Sequence, residues 1–256
     1  MDAIVTAGGI PQPGEPLYEY TQGESKALLD VAGKPMIQWV LDALCEAEKI
    51  RNIVLIGLPA DSNVSCRKLT AFIPNQGSML DNIRTGVSKI LELQPDAGHV
   101  MIVSSDVPGI KPEMIDWVVD TCMQTDDDIY YNVITKEVME KRFPSSKRSY
   151  THLKDLDVCG GDVNVIRSSL ATSEEEIWDD LIGARKNVLK QAAIIGFDTL
   201  ILLMLRRVTI DDAVKKVAKR LNITGRAVIC PYAEVGMDID KPHQLEILRM
   251  DLAGAY

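Results

Sequence analysis

Short apolar runs alternate with longer stretches of helical spacing through the first half of the chain. Ala3 to Thr6 reads as a buried strand that ends in the glycine turn Gly8-Gly9. Pro35 to Ala47 places Met36, Val40, Leu44 and Ala47 at helical intervals, with Pro35 at the start, where a missing N–H costs nothing. Asn52 to Leu58 predicts a second buried strand. Met79 to Leu93 gathers Leu80, Ile83, Val87, Ile90 and Leu91 on one helical face. Val100 to Ser104 predicts a third strand, and Pro112 to about Cys122 another helix. Alternation of this kind implies an α/β sheet of parallel strands joined by right-handed helical crossovers. Ligands of such sheets collect at the carboxyl ends of the strands, so the turns after Thr6 and after Ser104 are expected to open into one crevice.

The order is less regular further on. Asp128 to Thr135 and Gly161 to Ile166 are β-rich, whereas Glu174 to Leu221 is almost wholly helical in pattern, with Thr209 as an N-cap before Asp211 and Asp212. A strand from Ala227 to Cys230 and a closing helix from Lys241 to Ala253 complete the chain. Because sheet elements flank residues 173–223, that stretch is read as a helical insert within a single domain covering residues 1–256.

Composition narrows the function. A formal net charge of -9 disfavours a broad surface for nucleic acid or anionic membrane, but is compatible with acids that hold a cation. The five cysteines are scattered without CxxC spacing, as expected of reduced thiols in a cytoplasmic protein. The start MDAIVTAGG has no basic n-region, so no signal peptide is expected. Ala192 to Leu205, the most apolar stretch, is too short for stable membrane insertion.

Four separated segments carry chemistry. Ala7-Gly8-Gly9 lets backbone N–H groups approach phosphate oxygens, and Lys26 further on supplies a cation, although a plain turn and a surface lysine account for this segment on its own. Gly33-Lys34-Pro35 directly precedes the first long helix. Asp106, in Ser105-Asp106-Val107-Pro108, stands at the carboxyl end of a strand, where a carboxylate suits a hard cation, although an Asp-initiated turn explains it equally. Asp238-Ile239-Asp240-Lys241-Pro242 leads into the last helix, where Asp240 also suits the N-cap, a role compatible with holding a cation.

Taken in order, TAGG…ESKALLDVAGKPM, SDVP and DIDKP resemble the signature elements of nucleotidyltransferases of the glycosyltransferase-A-like fold, a group that includes molybdenum-cofactor guanylyltransferases and cytidylyltransferases. The resemblance implies a three-layer α/β/α fold with a mostly parallel central sheet. It implies transfer of NMP from an NTP, with CTP or GTP favoured, to a small phosphorylated acceptor, with release of pyrophosphate. It makes Asp106 and Asp240 the ligands of Mg²⁺ or Mn²⁺, with Asp238 as an alternate, and Lys26 and Asp106 the catalytic pair. Ala7, Gly8, Gly9, Asn75, Gln76, Gly77, Ser78 and Asn82 become contacts to the nucleotide, Ser78 having helix capping as its other role. Gly161 and Asp162 fall on the acceptor side, a Gly-Gly β-turn being their other role. Apart from the resemblance, Arg185 and Lys186 near the start of the helical insert are candidates for the acceptor's phosphate, solvated helix cations being the alternative. Two departures stand out: the family's signature-loop arginine has no counterpart after Gly9, and Ser25 replaces the usual proline before the lysine. A nucleotide-binding sensor without activity and a glycosyltransferase of the same fold are the alternative readings. Oligomeric state is left open.

Overall fold

The structure, a computed structural model, describes residues 1–172 and 205–255. The apolar start forms β1 (Asp2–Thr6), and after the glycine turn the chain makes a short helix α1 (Tyr18–Thr21) and a 3-10 turn, Lys26–Leu28. β2 (Asp30–Val31) and β3 (Lys34–Pro35) form a small hairpin. Its two loop residues, Ala32 and Gly33, both have positive φ, as a type I′ turn requires, so the glycine of GKP serves the turn that launches the first long helix. That helix is α2 (Met36–Glu46). Then follow β4 (Ile53–Ile56), β5 (Leu69–Ile73), α3 (Met79–Leu93), β6 (His99–Ser104) and α4 (Pro112–Cys122). The second half adds β7 (Ile129–Thr135), α5 (Lys136–Arg142), β8 (Thr151–His152), β9 (Asp157–Gly160), β10 (Val163–Arg167) and α6 (Ser168–Ala171). α7 (Ile210–Leu221), β11 (Gly225–Ile229), a 3-10 turn (Ala233–Gly236) and α8 (Pro242–Leu252) close the fold.

The main sheet runs β5-β4-β1-β6-β10-β7-β9-β8, with β11 added beside β7. β5, β4, β1 and β6 are mutually parallel and β11 is parallel to β7, whereas β9 and β10 run against the rest. The sheet is thus mixed and mostly parallel. Alternate residues of β1 and β6 face opposite layers, as strand geometry demands. Ala3, Val5, Met101 and Val103 pack with α2, α4 and α8, while Ile4, Val100 and Ile102 pack with α3 and α6. Helices cover both faces, giving the three-layer α/β/α architecture.

Two details position the site. β9 and β10 are both antiparallel partners of β7, and the register slips by two residues between Val133↔Gly160 and Tyr130↔Val165. The slip falls on Gly161-Asp162, which therefore lie outside the strand read over Gly161–Ile166. They are held instead by Ser104 N–H to Asp162 O, at 2.9 Å, and Asp162 N–H to Val235 O, at 2.8 Å. At the end of β4, Gly57 takes φ +107°, and a Cβ there would lie 2.3 Å from the Gly8 amide nitrogen. The strand read through Leu58 stops at Ile56 because its next residue must let the glycine turn pass.

Of the helical stretch read over residues 173–223, α7 lies within the described residues, and Thr209 Oγ1 caps it by accepting the Asp212 N–H at 3.2 Å. Among the described residues, no helix is long and apolar enough to cross a membrane.

Candidate functional site

The parallel strands end where Ser105 N–H donates to Thr6 O, so the two crossover turns lie side by side as expected. The loop after Gly9 makes a long excursion and is pinned on its return. Ser25 Oγ donates to Ala7 O at 3.4 Å, and Lys26 N–H donates to Gly9 O at 2.9 Å. The Lys26 side chain then reaches across the crevice. Its Nζ stands 2.6 Å from Asp106 Oδ2 and 2.7 Å from Asp240 Oδ1. Residues 80 and 214 positions away from Lys26 meet at one ammonium group.

Asp240 is brought in by the segment before α8, where Ile239 N–H donates to Asp106 O. Gln244 Oε1, one turn into α8, reaches back and accepts both the Asp240 and Lys241 N–H groups, at 3.0 and 2.8 Å. The capping alternative for Asp240 is corrected: Lys241 is the N-cap residue of α8, and the Asp240 carboxylate goes to Lys26. Asp238 is buried and paired with Arg148, whose guanidinium also faces Asp240.

The electrostatics follow from this packing. Burial disfavours the Lys26 ammonium, but Asp106 and Asp240 outweigh it and raise its pKa above the ordinary lysine value. Burial likewise opposes the Asp240 carboxylate, yet Lys26 and then Arg148 hold its pKa below the usual range. One oxygen of Asp106, Oδ1, is buried without a hydrogen-bond partner. Ligand atoms of Asp106, Asp238 and Asp240 all lie within 4.8 Å of one another. An all-oxygen set with an unused carboxylate oxygen fits a hard divalent cation better than it fits zinc or a soft metal.

The glycine turn forms the adjoining wall. Among the described residues, the N–H groups of Gly8 and Gly9 find no protein acceptor. Asn75 lies against Gly8, with Nδ2 donating to Gly8 O at 3.3 Å, and Asn82 Nδ2 donates to Asn75 Oδ1 at 3.1 Å. Gln76 N–H donates to Asn82 Oδ1 and Gly77 N–H to Asn75 Oδ1, so this loop is folded on its own amide side chains. Asn82 is buried and acts as the loop's anchor. Ser78 is the N-cap of α3, accepting from Asp81 N–H at 3.0 Å and donating to its carboxylate. Gly161 and Asp162 sit at the end of β6 through the Ser104 bond, on the same rim as Asp106. Arg185 and Lys186 lie outside the described residues.

Sequence reasoning missed Arg148 and Gly57. Arg148 arrives from an irregular stretch after α5, where neither period nor motif marks it. Gly57 did carry a signal: a glycine inside an otherwise apolar strand marks a close backbone approach.

The family model of the MobA-like NTP transferase domain matches residues 4–186. The chain is 30% identical over 98 residues to a probable molybdenum cofactor guanylyltransferase of Thermococcus kodakarensis, covering 38% of this chain and 46% of that protein. It is 35% identical over 111 residues to a 3-deoxy-manno-octulosonate cytidylyltransferase of Marinobacter nauticus, covering 42% of this chain and 41% of that one. The matched region thus spans less than half the length of these curated relatives. A solved structure of a hypothetical transferase from Thermus thermophilus superposes with a TM-score of 0.83 at 28% identity, covering 95% of this chain and 98% of that one. With a glycine turn, a lysine and two acids meeting where the parallel strands end, and with this domain match over most of its length, the chain belongs to the family of MobA-like NTP transferase domains.

Proposed function

We propose that the protein is a nucleotidyltransferase that moves NMP from an NTP, CTP or GTP being favoured, to a small phosphorylated acceptor and releases pyrophosphate. The observation that carries this reading is the convergence of Lys26, Asp106 and Asp240 beside the N–H groups of Gly8 and Gly9, which find no acceptor among the described residues. An acidic pair for a cation and a row of backbone donors for phosphate are the two requirements of phosphoryl chemistry on a triphosphate.

In this reading Asp106 and Asp240 hold Mg²⁺ or Mn²⁺, with Asp238 steadied by Arg148 behind them. The bound ion supplies charge neutralisation on the phosphates. Gly8 and Gly9 donate backbone N–H groups to phosphate oxygens, and Lys26 places its ammonium on the pyrophosphate as negative charge gathers there. Ala7 is buried beneath the turn and fixes its height, since its N–H is bonded to Ile56 O at 2.7 Å. Asn75, Gln76, Gly77, Ser78 and Asn82 form the wall against which the base and ribose lie. Gly161 and Asp162 face the acceptor. The acceptor's phosphate oxygen is the nucleophile and is already anionic, so the site needs no general base. His99 and His243 lie within 2.9 Å of the backbone carbonyls of Asp127 and Ser146 and are given no part in the chemistry.

Guanylyl and cytidylyl relatives support the two favoured bases, and the names of both kinds of relative support a small acceptor. The test incubates the protein with Mg²⁺, each of the four NTPs and a panel of phosphorylated sugars, sugar acids and pterins. Pyrophosphate and the NMP-linked product are followed together. Equal, EDTA-sensitive formation of both with one NTP is the expected result. NTP bound without turnover across the panel would replace the enzyme by a sensor.

A further inference from the structure

The Lys26 ammonium occupies the place that a divalent ion needs. Oxygens of Asp106 and Asp240 are 2.6 and 2.7 Å from Nζ, as close as charge-assisted hydrogen bonds become. Mg²⁺ requires carboxylate oxygens at about 2.1 Å. An ion meeting that condition at both aspartates would lie inside the contact distance of the ammonium, with two positive groups pressed together in a half-buried cleft. The two cannot share these oxygens.

Local charge makes the same point. Three carboxylates, Asp106, Asp238 and Asp240, face two cations, Lys26 and Arg148. This cluster is nearly balanced, so a further divalent charge finds little net attraction until a cation leaves. The incoming triphosphate is what gives that cation somewhere to go. Lys26 is also built to move by its side chain alone. Its backbone is tied by N–H to Gly9 O, within the turn, while its four-carbon stem carries a point charge with rotatable donors. Asp106 Oδ1, buried and without a partner, is a carboxylate oxygen the lysine leaves unused.

Resting on the nucleotidyltransferase reading, we propose that Lys26 is a removable counter-ion for the metal site. It neutralises Asp106 and Asp240 while the crevice is empty, and is drawn off them by the phosphates of the nucleotide, so that ion and nucleotide enter as a coupled pair. The free protein consequently has a weak affinity for the ion alone. The same lysine that keeps the acids together at rest is delivered to the triphosphate at the moment the ion takes its place.

The experiment measures Mn²⁺ binding without nucleotide, by electron paramagnetic resonance of the free ion, for the wild-type chain and for Lys26→Met, Lys26→Gln and Lys26→Arg. Lys49→Met, which removes an exposed cation paired with Asp120, serves as the control for net charge. The expected result is Mn²⁺ affinity raised about tenfold or more in Lys26→Met and Lys26→Gln, by loss of a competing charge in a site of intermediate dielectric. Lys26→Arg, which keeps the cation, and Lys49→Met should match the wild type. Unchanged or weaker binding in Lys26→Met and Lys26→Gln overturns the exchange. If Asp106→Asn, made in the Lys26→Met background, then abolishes that binding, the metal site itself survives. Absence of Mn²⁺ binding in every variant overturns the exchange and the metal site together. Should the neutral variants fail to fold, a crystal of the wild-type chain soaked in Mn²⁺ decides. Lys26 turned away from the aspartates supports the exchange, and Lys26 still bridging both beside an ion bound to Asp106 overturns it.

Discussion

Two of the places among the described residues that set one cation between two carboxylates are built for opposite ends. In the crevice Lys26 bridges Asp106 and Asp240. Toward the other end of α8, Arg142 at the end of α5 bridges Glu234 and Asp251. Arg142 gives Nε to Glu234 at 2.8 Å and its terminal nitrogen to both oxygens of Asp251, at 2.7 and 2.8 Å. Its planar fork is matched to fixed acids on two elements, and burial, which opposes its charge, is outweighed by the hydrogen bonds of Asp251 and Glu234. The crevice instead uses a point charge on a flexible stem, and leaves Asp106 Oδ1 without a partner. Formal charge is the same in both. What separates a staple from a site is whether the acids have oxygens to spare and whether the cation can leave.

Predictions that test this contrast differ in which property they move. The largest effect on stability is expected where the crevice depends on bare backbone. Gly57→Ala forces a Cβ against the Gly8 amide and keeps φ at +107°. It should cost about 2–4 kcal/mol and weaken nucleotide binding, because the glycine turn must move. Thermal melting with and without an NTP measures both; a melt unchanged from the wild type would mean the turn is not braced by β4.

Next comes the staple. Arg142→Leu leaves Glu234 and Asp251 facing each other, both largely buried. The expected loss is about 2–3 kcal/mol, below that of a wholly buried pair because the arginine is 36% exposed. Turnover per folded molecule should stay within about twofold, since no reacting group is touched. A large fall in kcat at full folding would place this cluster in the chemistry and break the comparison.

Arg167 forms a third cluster, on the staple side. It bridges Asp126 and Asp128, and Asp128 also accepts the Thr224 N–H and hydroxyl, each at 2.8 Å. Burial pushes the Asp128 carboxyl up, but the Thr224 bonds and Arg167 outweigh it and hold its pKa below the ordinary 3.8. A carboxyl depressed in the folded state stabilises above its unfolded pKa, and that stability is lost as pH falls through the folded value. Asp128→Asn should therefore cost about 1 kcal/mol at neutral pH and flatten the acid limb of the stability profile below the ordinary carboxylate range. An acid limb identical to the wild type would show that Asp128 contributes nothing to it.

The staples were the less legible half of this molecule. α3 and α4 fall at Met79–Leu93 and Pro112–Cys122, where the helical period placed them, because each presents a full apolar face to the sheet. Asp106 stands out in a short motif after a strand and Asp240 in one before the last helix, and the fold places their ligand atoms within 4.8 Å of each other and of Asp238. β5 is not legible because LTAFI lies at the sheet edge and is nowhere fully buried, so neither an apolar run nor a clean alternation marks it. β8 and β9, at two and four residues, are too short to carry a period. α5 is a seven-residue helix with one buried side chain, too little for a stripe. Arg142, Arg148 and Arg167 look like ordinary surface cations in the sequence. Their partners are fixed only when distant segments close on them, 92 and 109 positions on in the case of Arg142. Lys241 standing as N-cap of α8 in place of the acid before it is the same lesson on a smaller scale: a local rule names the acid, and the contact with Lys26 claims it.

The measurement closest to the centre of this account is kcat for NTP-dependent pyrophosphate release by Asp106→Asn, at saturating Mg²⁺ and beside a thermal melt. If Asp106 holds the ion, its loss should lower kcat by about a thousandfold or more, far beyond what the broken pair with Lys26 takes from the melt. An Asp106→Asn protein that turns over at the wild-type rate, fully folded, would contradict the assignment of this crevice as the place where the phosphate bond is broken.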